Sequence, residues 1–136
     1  MKYVLDTNIC IYIINEKPTK VLRKFQRHPV HEFGISSITH AELQYGIAKS
    51  KQKAKNQKAL DEFLLPLTIL PFHGKKLVEA YGKIRTFLES TGQTIGPLDT
   101  LIAAHAMSLN LTIITNNISE FSRIPKLKCK NWVSST

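Results

Sequence analysis

The sequence predicts an α/β domain built on a central, mainly parallel sheet of about five strands, and three observations carry that prediction. Apolar runs of strand rather than helix length recur along the chain. Segments with apolar residues at helical period separate them, as the crossovers between parallel neighbours require. The composition, 43% hydrophobic and 21% charged over 136 residues, is that of one ordinary globular domain and excludes disorder or a collagen-like chain. At this length folding buries roughly two-thirds of the surface the unfolded chain exposes, enough for a core without staples. A single domain over residues 1–136 follows.

Residues 2–5 form an apolar run that stops at Asp6-Thr7-Asn8, a buried strand ending in a polar turn, and residues 9–14 continue as an apolar helix. Pro18 suits the first turn of a second helix reaching about Gln26. Residues 32–36 form the second strand. Ser36, Ser37 and Thr39 offer caps for the next helix, and Ile38, Glu42, Tyr45 and Lys49 follow at helical spacing in a long helical region that reaches Leu65. Pro66 and Pro71 bracket a third strand over 67–70. From Gly74 to about Ser90, Leu77, Ala80, Tyr81, Ile84 and Leu88 recur at helical period, and Gly92 ends the helix. Gly96-Pro97 opens another, with Leu98, Leu101, Ile102, His105, Ala106 and Leu109 along one face and Asn110 as its stop. A strand over 111–114 closes at Thr115-Asn116-Asn117, and a last weak strand lies around 127–129.

The most apolar stretches, 3–14 and 98–114, are interrupted by Asp6 and Asn8 and by Asp99, His105 and Asn110, so neither suits a bilayer span. Asp6 also falls where the hydrophobic region of a signal peptide would begin. Cys10 and Cys129 have the spacing of neither a disulfide framework nor a metal site. A cytoplasmic protein is expected.

The 19 Lys and Arg against 10 Asp and Glu give a net charge of +9, which argues for a polyanionic partner, nucleic acid first. The charge is segregated. If helical, Lys20, Arg23, Lys24 and Arg27 share one face, and so do Lys51, Lys55 and Lys58. A solvated helix surface is the plain alternative. The basic tail residues Arg123, Lys126, Lys128 and Lys130 add weight to binding.

In an open α/β sheet, ligands bind beyond the carboxyl ends of the strands, so polar residues there come first. Asp6 and Asn117 each follow an apolar strand, while Glu42 and Asp99 lie early in helices. Each has a structural explanation. Asp6 caps a helix; Thr39 to Glu42 fits a capping box; Asp99 favours a helix dipole; Asn117 and Glu120 fit a cap and its partner. Taken jointly they mean more. Three carboxylates drawn together repel by about 4 kcal/mol per pair at 4 Å in an effective dielectric near 20, and only a cation makes that tolerable. An all-oxygen donor set suits Mg²⁺, with Mn²⁺ able to substitute, rather than zinc; His28, His31, His40, His73 and His105 show no zinc-type spacing. His105, on an apolar helix face, reads as a hydrogen-bonded core histidine, and Cys10 as core.

Four blocks in order now carry a resemblance. Tyr3 to Asn8, Ile35 to Thr39 leading into Ala41-Glu42-Leu43, Gly96 to Asp99 running into Ile102-Ala103-Ala104, and Thr115-Asn116-Asn117 with Glu120-Phe121 resemble the motifs of PIN-domain ribonucleases. Within that family the chain is most similar to the VapC toxins of bacterial toxin–antitoxin pairs, over essentially its whole length. The resemblance implies a PIN-like three-layer fold and a metal-dependent endoribonuclease that inhibits translation. Asp6, Glu42 and Asp99 would be its metal-binding carboxylates, Thr115 the hydroxyl beside them and Asn8 a polar neighbour. Where the family often has a fourth acid this chain has Asn117, so a second metal would be held weakly unless Glu120 contributes. Asp99 or Glu42 would accept the proton of the attacking water, leaving a 3′-hydroxyl and a 5′-phosphate. The resemblance also implies transfer RNA cut in the anticodon loop as substrate, initiator transfer RNA favoured. Further implied are a VapB-type antitoxin covering the site, a homodimer, and a larger complex that binds operator DNA through the antitoxin. The apolar surface of helices 18–26 and 41–65 is where the antitoxin is expected. If about five cations engage phosphates of a single strand, binding weakens about a hundredfold over a fourfold rise in salt.

Two other readings start from the same residues. A phosphatase of the haloacid dehalogenase type needs a second Asp two residues after Asp6, where Asn8 stands. A non-catalytic basic module would bind nucleic acid with every acid acting as a cap. It predicts RNA binding that ignores Mg²⁺ and survives Asp99→Asn.

Overall fold

The computed structural model describes residues 1–133, so the last three residues of the domain read over 1–136 lie outside the described residues. Five strands form one sheet: β1 (Tyr3–Leu5), β2 (Phe33–Ser36), β3 (Thr68–Leu70), β4 (Thr112–Ile114) and β5 (Cys129–Lys130). All four pairings are parallel, in the order β3-β2-β1-β4-β5. The chain therefore builds outward from β1 on one side and then returns to build on the other, which puts the reversal of strand order beside β1.

Seven α-helices are present among the described residues: α1 (Thr7–Asn15), α2 (Thr19–Gln26), α3 (Ser37–Ala48), α4 (Lys53–Leu64), α5 (Lys75–Ser90), α6 (Pro97–Ser108) and α7 (Ile118–Phe121). Successive strand residues face opposite ways, and both faces are covered. Leu5, Ile35 and Ile114 join Ile9, Cys10, Val21, Leu43 and Leu60 under α1 to α4. Val4 and Ile113 instead meet Ile84, Leu88, Ile102 and Phe121 under α5 to α7. Burial on both sides explains why β1, β2 and β4 read as unbroken apolar runs rather than alternating ones, while the edge strand β3 is largely exposed. Helix ends follow the expected chemistry: Gly92 closes α5 at φ +66°, and Asn110, past the end of α6, takes φ 56°. Among the described residues no helix is long and apolar enough to cross a membrane.

The helical region expected to run unbroken to Leu65 is two helices, parted at residues 49–52. Neither Gly nor Pro stands at the break. Antiparallel packing of α3 on α4 sets it, with Leu43 and Leu60 buried and Gln44 bonded to Gln57 at 2.7 Å. Lys51 consequently precedes α4 and does not share a helical face with Lys55 and Lys58. The last strand falls at Cys129–Lys130, just beyond the expected 127–129, where the ladder with Ile113 and Ile114 places it. Cys10 is fully buried and His105 bonds Ser36 Oγ at 2.8 Å, both core residues as expected.

Candidate active site

The carboxyl ends of β1 and β4 form the crevice at the reversal of strand order. Asp6 follows β1 directly, and its own N–H donates to the Ile114 carbonyl of β4 at 3.0 Å. Its carboxylate also caps α1, accepting from Ile9 N–H at 2.8 Å. The structural and functional readings of Asp6 are thus compatible: the cap fixes the carboxylate at the crevice. Burial pushes its pKa from 3.8 up to about 6, against hydrogen bonds from Thr115 and Ile9 that favour the ionised form, with repulsion from Asp99 and Glu42 adding to the rise.

Glu42 is not the partner of a capping box. Ser36 caps α3 through Ile38 N–H at 3.1 Å, and Thr39 lies within the helix. Freed of that role, Glu42 accepts a hydrogen bond from the Thr7 hydroxyl at 2.6 Å. The Thr7 and Thr39 hydroxyls are 3.4 Å apart, tying the start of α1 to α3. Thr7 was visible in the sequence only as a motif neighbour of Asp6. Its place in the first turn of α1, facing α3, gives it the role of orienting Glu42.

Asp99 sits in the first turn of α6, half-buried, where the helix dipole favours it. Its pKa is raised nevertheless, by burial first and then by Glu120 and Glu42. Asn117 differs from its expected part. Its side chain caps nothing; its amide donates to Glu120 Oε2 at 2.8 Å, while its backbone N–H donates to Thr115 Oγ1 at 2.8 Å. Asn117 therefore holds Glu120 beside the other acids, and Thr115 ties β4 to both Asp6 and Asn117. Asn116 donates to the Tyr12 hydroxyl at 2.9 Å, and Asn8 is exposed.

Asp6, Glu42, Asp99 and Glu120 form one electrostatic neighbourhood. Among the described residues no Lys, Arg or His makes an ion pair with any of them, although the chain carries +9. Among the same residues no group of three or more His, Cys, Asp and Glu is drawn together tightly enough to hold a metal ion as placed. The donor set, all oxygen and without a counter-charge, has the chemistry that suits a hard divalent cation.

Of the basic residues, Lys20, Arg23 and Arg27 are exposed and Lys24 is partly covered along α2. Lys55 lines a groove of 420 Å³ between α1, α3 and α4, which Glu42 shares with Ile11, Ile14 and Leu43. Lys51 is exposed in the turn before α4.

A Thr7→Val substitution keeps the shape of the side chain and removes the donor. A hydrogen bond to a charged group contributes about 1.5–3 kcal/mol, so the RNA cleavage that the sequence resemblance implies is expected to slow by at least about tenfold with little change in melting temperature. Single-turnover rates beside a thermal melt decide it; an unchanged rate overturns the orienting role.

Residues 3–127 match the family model for the PIN domain. The chain is 49% identical over 133 residues to Ribonuclease VapC2 of Rickettsia felis, covering 97% of this chain and 98% of that protein. It is 37% identical over 132 residues to the tRNA(fMet)-specific endonuclease VapC of Salmonella typhimurium, covering 97% and 98%. The solved structure of VapBC2 from Rickettsia felis, bound to a DNA fragment from its promoter, superposes with a TM-score of 0.88 at 47% identity, covering 97% of this chain and 99% of that one. The parallel sheet, the acids gathered where its strand order reverses and this likeness along the whole length agree: the chain belongs to the PIN-domain family, among the VapC ribonucleases of toxin–antitoxin systems.

Proposed function

We propose that the protein is a Mg²⁺-dependent endoribonuclease toxin that cuts transfer RNA in the anticodon loop, initiator transfer RNA first, and so inhibits translation in the cytoplasm. The observation that carries the reading is the set of four acids, unpaired with any cation among the described residues, at the carboxyl ends of β1 and β4 in a protein of charge +9. The substrate rests on the tRNA(fMet)-specific relative.

Asp6, Glu42 and Asp99 would hold the ion, with Glu120 contributing if a second is bound. A divalent ion bound there supplies Lewis-acid polarisation of a phosphate oxygen and a lowered pKa for water. The chain's own groups do the rest. Asp6 is fixed by Ile9 and Thr115, Glu42 by Thr7 and Glu120 by Asn117, whereas no hydrogen bond among the described residues holds the Asp99 carboxylate. Its raised pKa and free lone pairs suit Asp99 as acceptor of the proton of the attacking water. No protein nucleophile is needed, and buried Cys10 offers none.

A VapB-type antitoxin covers the site in this reading, the toxin pairs as a homodimer, and the complex reaches operator DNA through the antitoxin; the related VapBC2 of Rickettsia felis is solved bound to a DNA fragment from its promoter. The apolar groove beside Glu42, between α1, α3 and α4, fits the antitoxin's segment. It includes part of the 41–65 region expected from the sequence but none of α2.

The test is incubation of the purified protein with total transfer RNA in Mg²⁺, in Mn²⁺ and in EDTA, with fragments read on a sequencing gel. A discrete cut in the anticodon loop, present with either ion and absent with EDTA, is expected. RNA left whole with both ions, with no antitoxin co-purified, leaves the acids without a catalytic role and favours the non-catalytic binding module.

A further inference from the structure

We propose that the basic recess between the end of α2 and the segment at β5 is a second subsite, which grips a backbone phosphate of the RNA away from the bond that is cut. The inference rests on the ribonuclease reading and adds a binding site to it. The recess, 530 Å³ in volume, is lined by Lys24, Arg27 and His28 on one side and by Cys129, Lys130 and Trp132 on the other. Among the described residues no carboxylate pairs with Lys24, Arg27 or Lys130. Glu32, the acid at this edge, is already taken by Lys2 at 2.9 Å and His28 at 3.3 Å. Three cations line one recess with no carboxylate paired to them among the described residues, which mirrors the acids of the active site and suits an anion.

One wall of the recess is a packed aromatic pair. Trp132 is 5% exposed and stacks on His28 with ring centroids 5.9 Å apart and an interplanar angle of 13°, and it meets Phe33 edge-on at 5.7 Å. Trp132, covered this far, offers no face to a nucleobase, and the cations lining the recess suit phosphate rather than a base edge. Lys130 Nζ lies 5.5 Å from the centre of the Tyr3 ring, which steadies the ammonium at the rim. The recess is also tied to the chemistry. Tyr3 opens β1 and Asp6 follows its end, about 10 Å along a strand, and the Lys130 carbonyl accepts from Thr115 N–H at 3.0 Å. One RNA molecule can touch both.

Arg27 and Lys130 are exposed, so Arg27→Gln with Lys130→Gln leaves the core intact; an unchanged thermal melt documents it. Cleavage of transfer RNA in Mg²⁺ is followed over a range of KCl. The double variant is expected to raise KM about tenfold, to hold kcat within about twofold, and to flatten the log-log salt dependence by about 0.7, the share of the one phosphate gripped there. Arg27→Lys with Lys130→Arg, which keeps the charge, should restore KM. Wild-type cleavage with KM and salt slope unchanged in the double variant overturns the subsite and leaves the ribonuclease reading standing. So does a loss confined to antitoxin binding, which would assign the recess to an acidic protein segment. RNA left whole by the wild type with every ion sinks the ribonuclease reading and the subsite with it.

Discussion

Asp99→Asn is expected to lower the rate of RNA cleavage by at least about a hundredfold, and up to about 10⁴-fold, the range over which a positioned general base acts. The substitution preserves size, the first-turn position on α6 and the ability to accept a hydrogen bond. It removes only the negative charge and the capacity to take a proton. RNA affinity should stay within about threefold, since one fewer acid beside a polyanion favours binding slightly. Stability should not fall, because burial and repulsion by Glu120 and Glu42 already disfavour the charge at this position. Single-turnover cleavage, a binding isotherm and a melt on the same preparation separate these three. Cleavage at the wild-type rate would remove Asp99 from the chemistry and leave its helix-dipole role as sufficient account.

The sequence reveals the inner strands and most helices because burial on both faces of a parallel sheet writes continuous apolar runs, and because Pro and Gly punctuate the helices. It reveals the acids because so few stand where strands end. What it hides is decided by contacts between distant residues. Ser36, Ser37 and Thr39 are equally good caps on paper. In the fold, His105 bonds Ser36, Phe72 N–H donates to Ser37, and Thr39 meets Thr7, so each hydroxyl is assigned from far along the chain. That assignment is what releases Glu42 from a capping box and gives it to Thr7. Likewise, the break between α3 and α4 follows from two helices packing on each other, a fact with no local signal. Strand order is the same kind of information: the spacing of β1 and β4 says nothing of their pairing, yet the pairing creates the crevice. The four residues of α7 are too few for a helical period to show.

Asp6→Asn should abolish cleavage and yet make the metal-free protein more stable at neutral pH. Asp6 is 4% exposed, and its pKa in the fold is about 6 against an ordinary 3.8. Between those values the folded state binds more protons than the unfolded one, so stability falls as pH rises through that window and stays at its lower level above it. Each pH unit of separation is worth 1.36 kcal/mol, which puts the penalty for ionised Asp6 at about 3 kcal/mol. Asn caps a helix as well as Asp does, so the bond from Ile9 N–H survives the substitution. The favourable interaction with the helix dipole is lost, at about 0.3–1 kcal/mol. The net gain is about 2 kcal/mol at pH 7, or several degrees in melting temperature for a chain of this length. Below about pH 4 the carboxyl is protonated in both states and the advantage disappears. Added Mg²⁺ should act in the opposite sense, stabilising the wild type by mass action while leaving the variant unmoved, and so narrowing the gap. Denaturant melts of both proteins from pH 4 to 8, with and without Mg²⁺, measure all of this. A wild-type stability that is flat across that range, or an equal response of both proteins to Mg²⁺, would show that Asp6 carries no strained charge and is a helix cap alone.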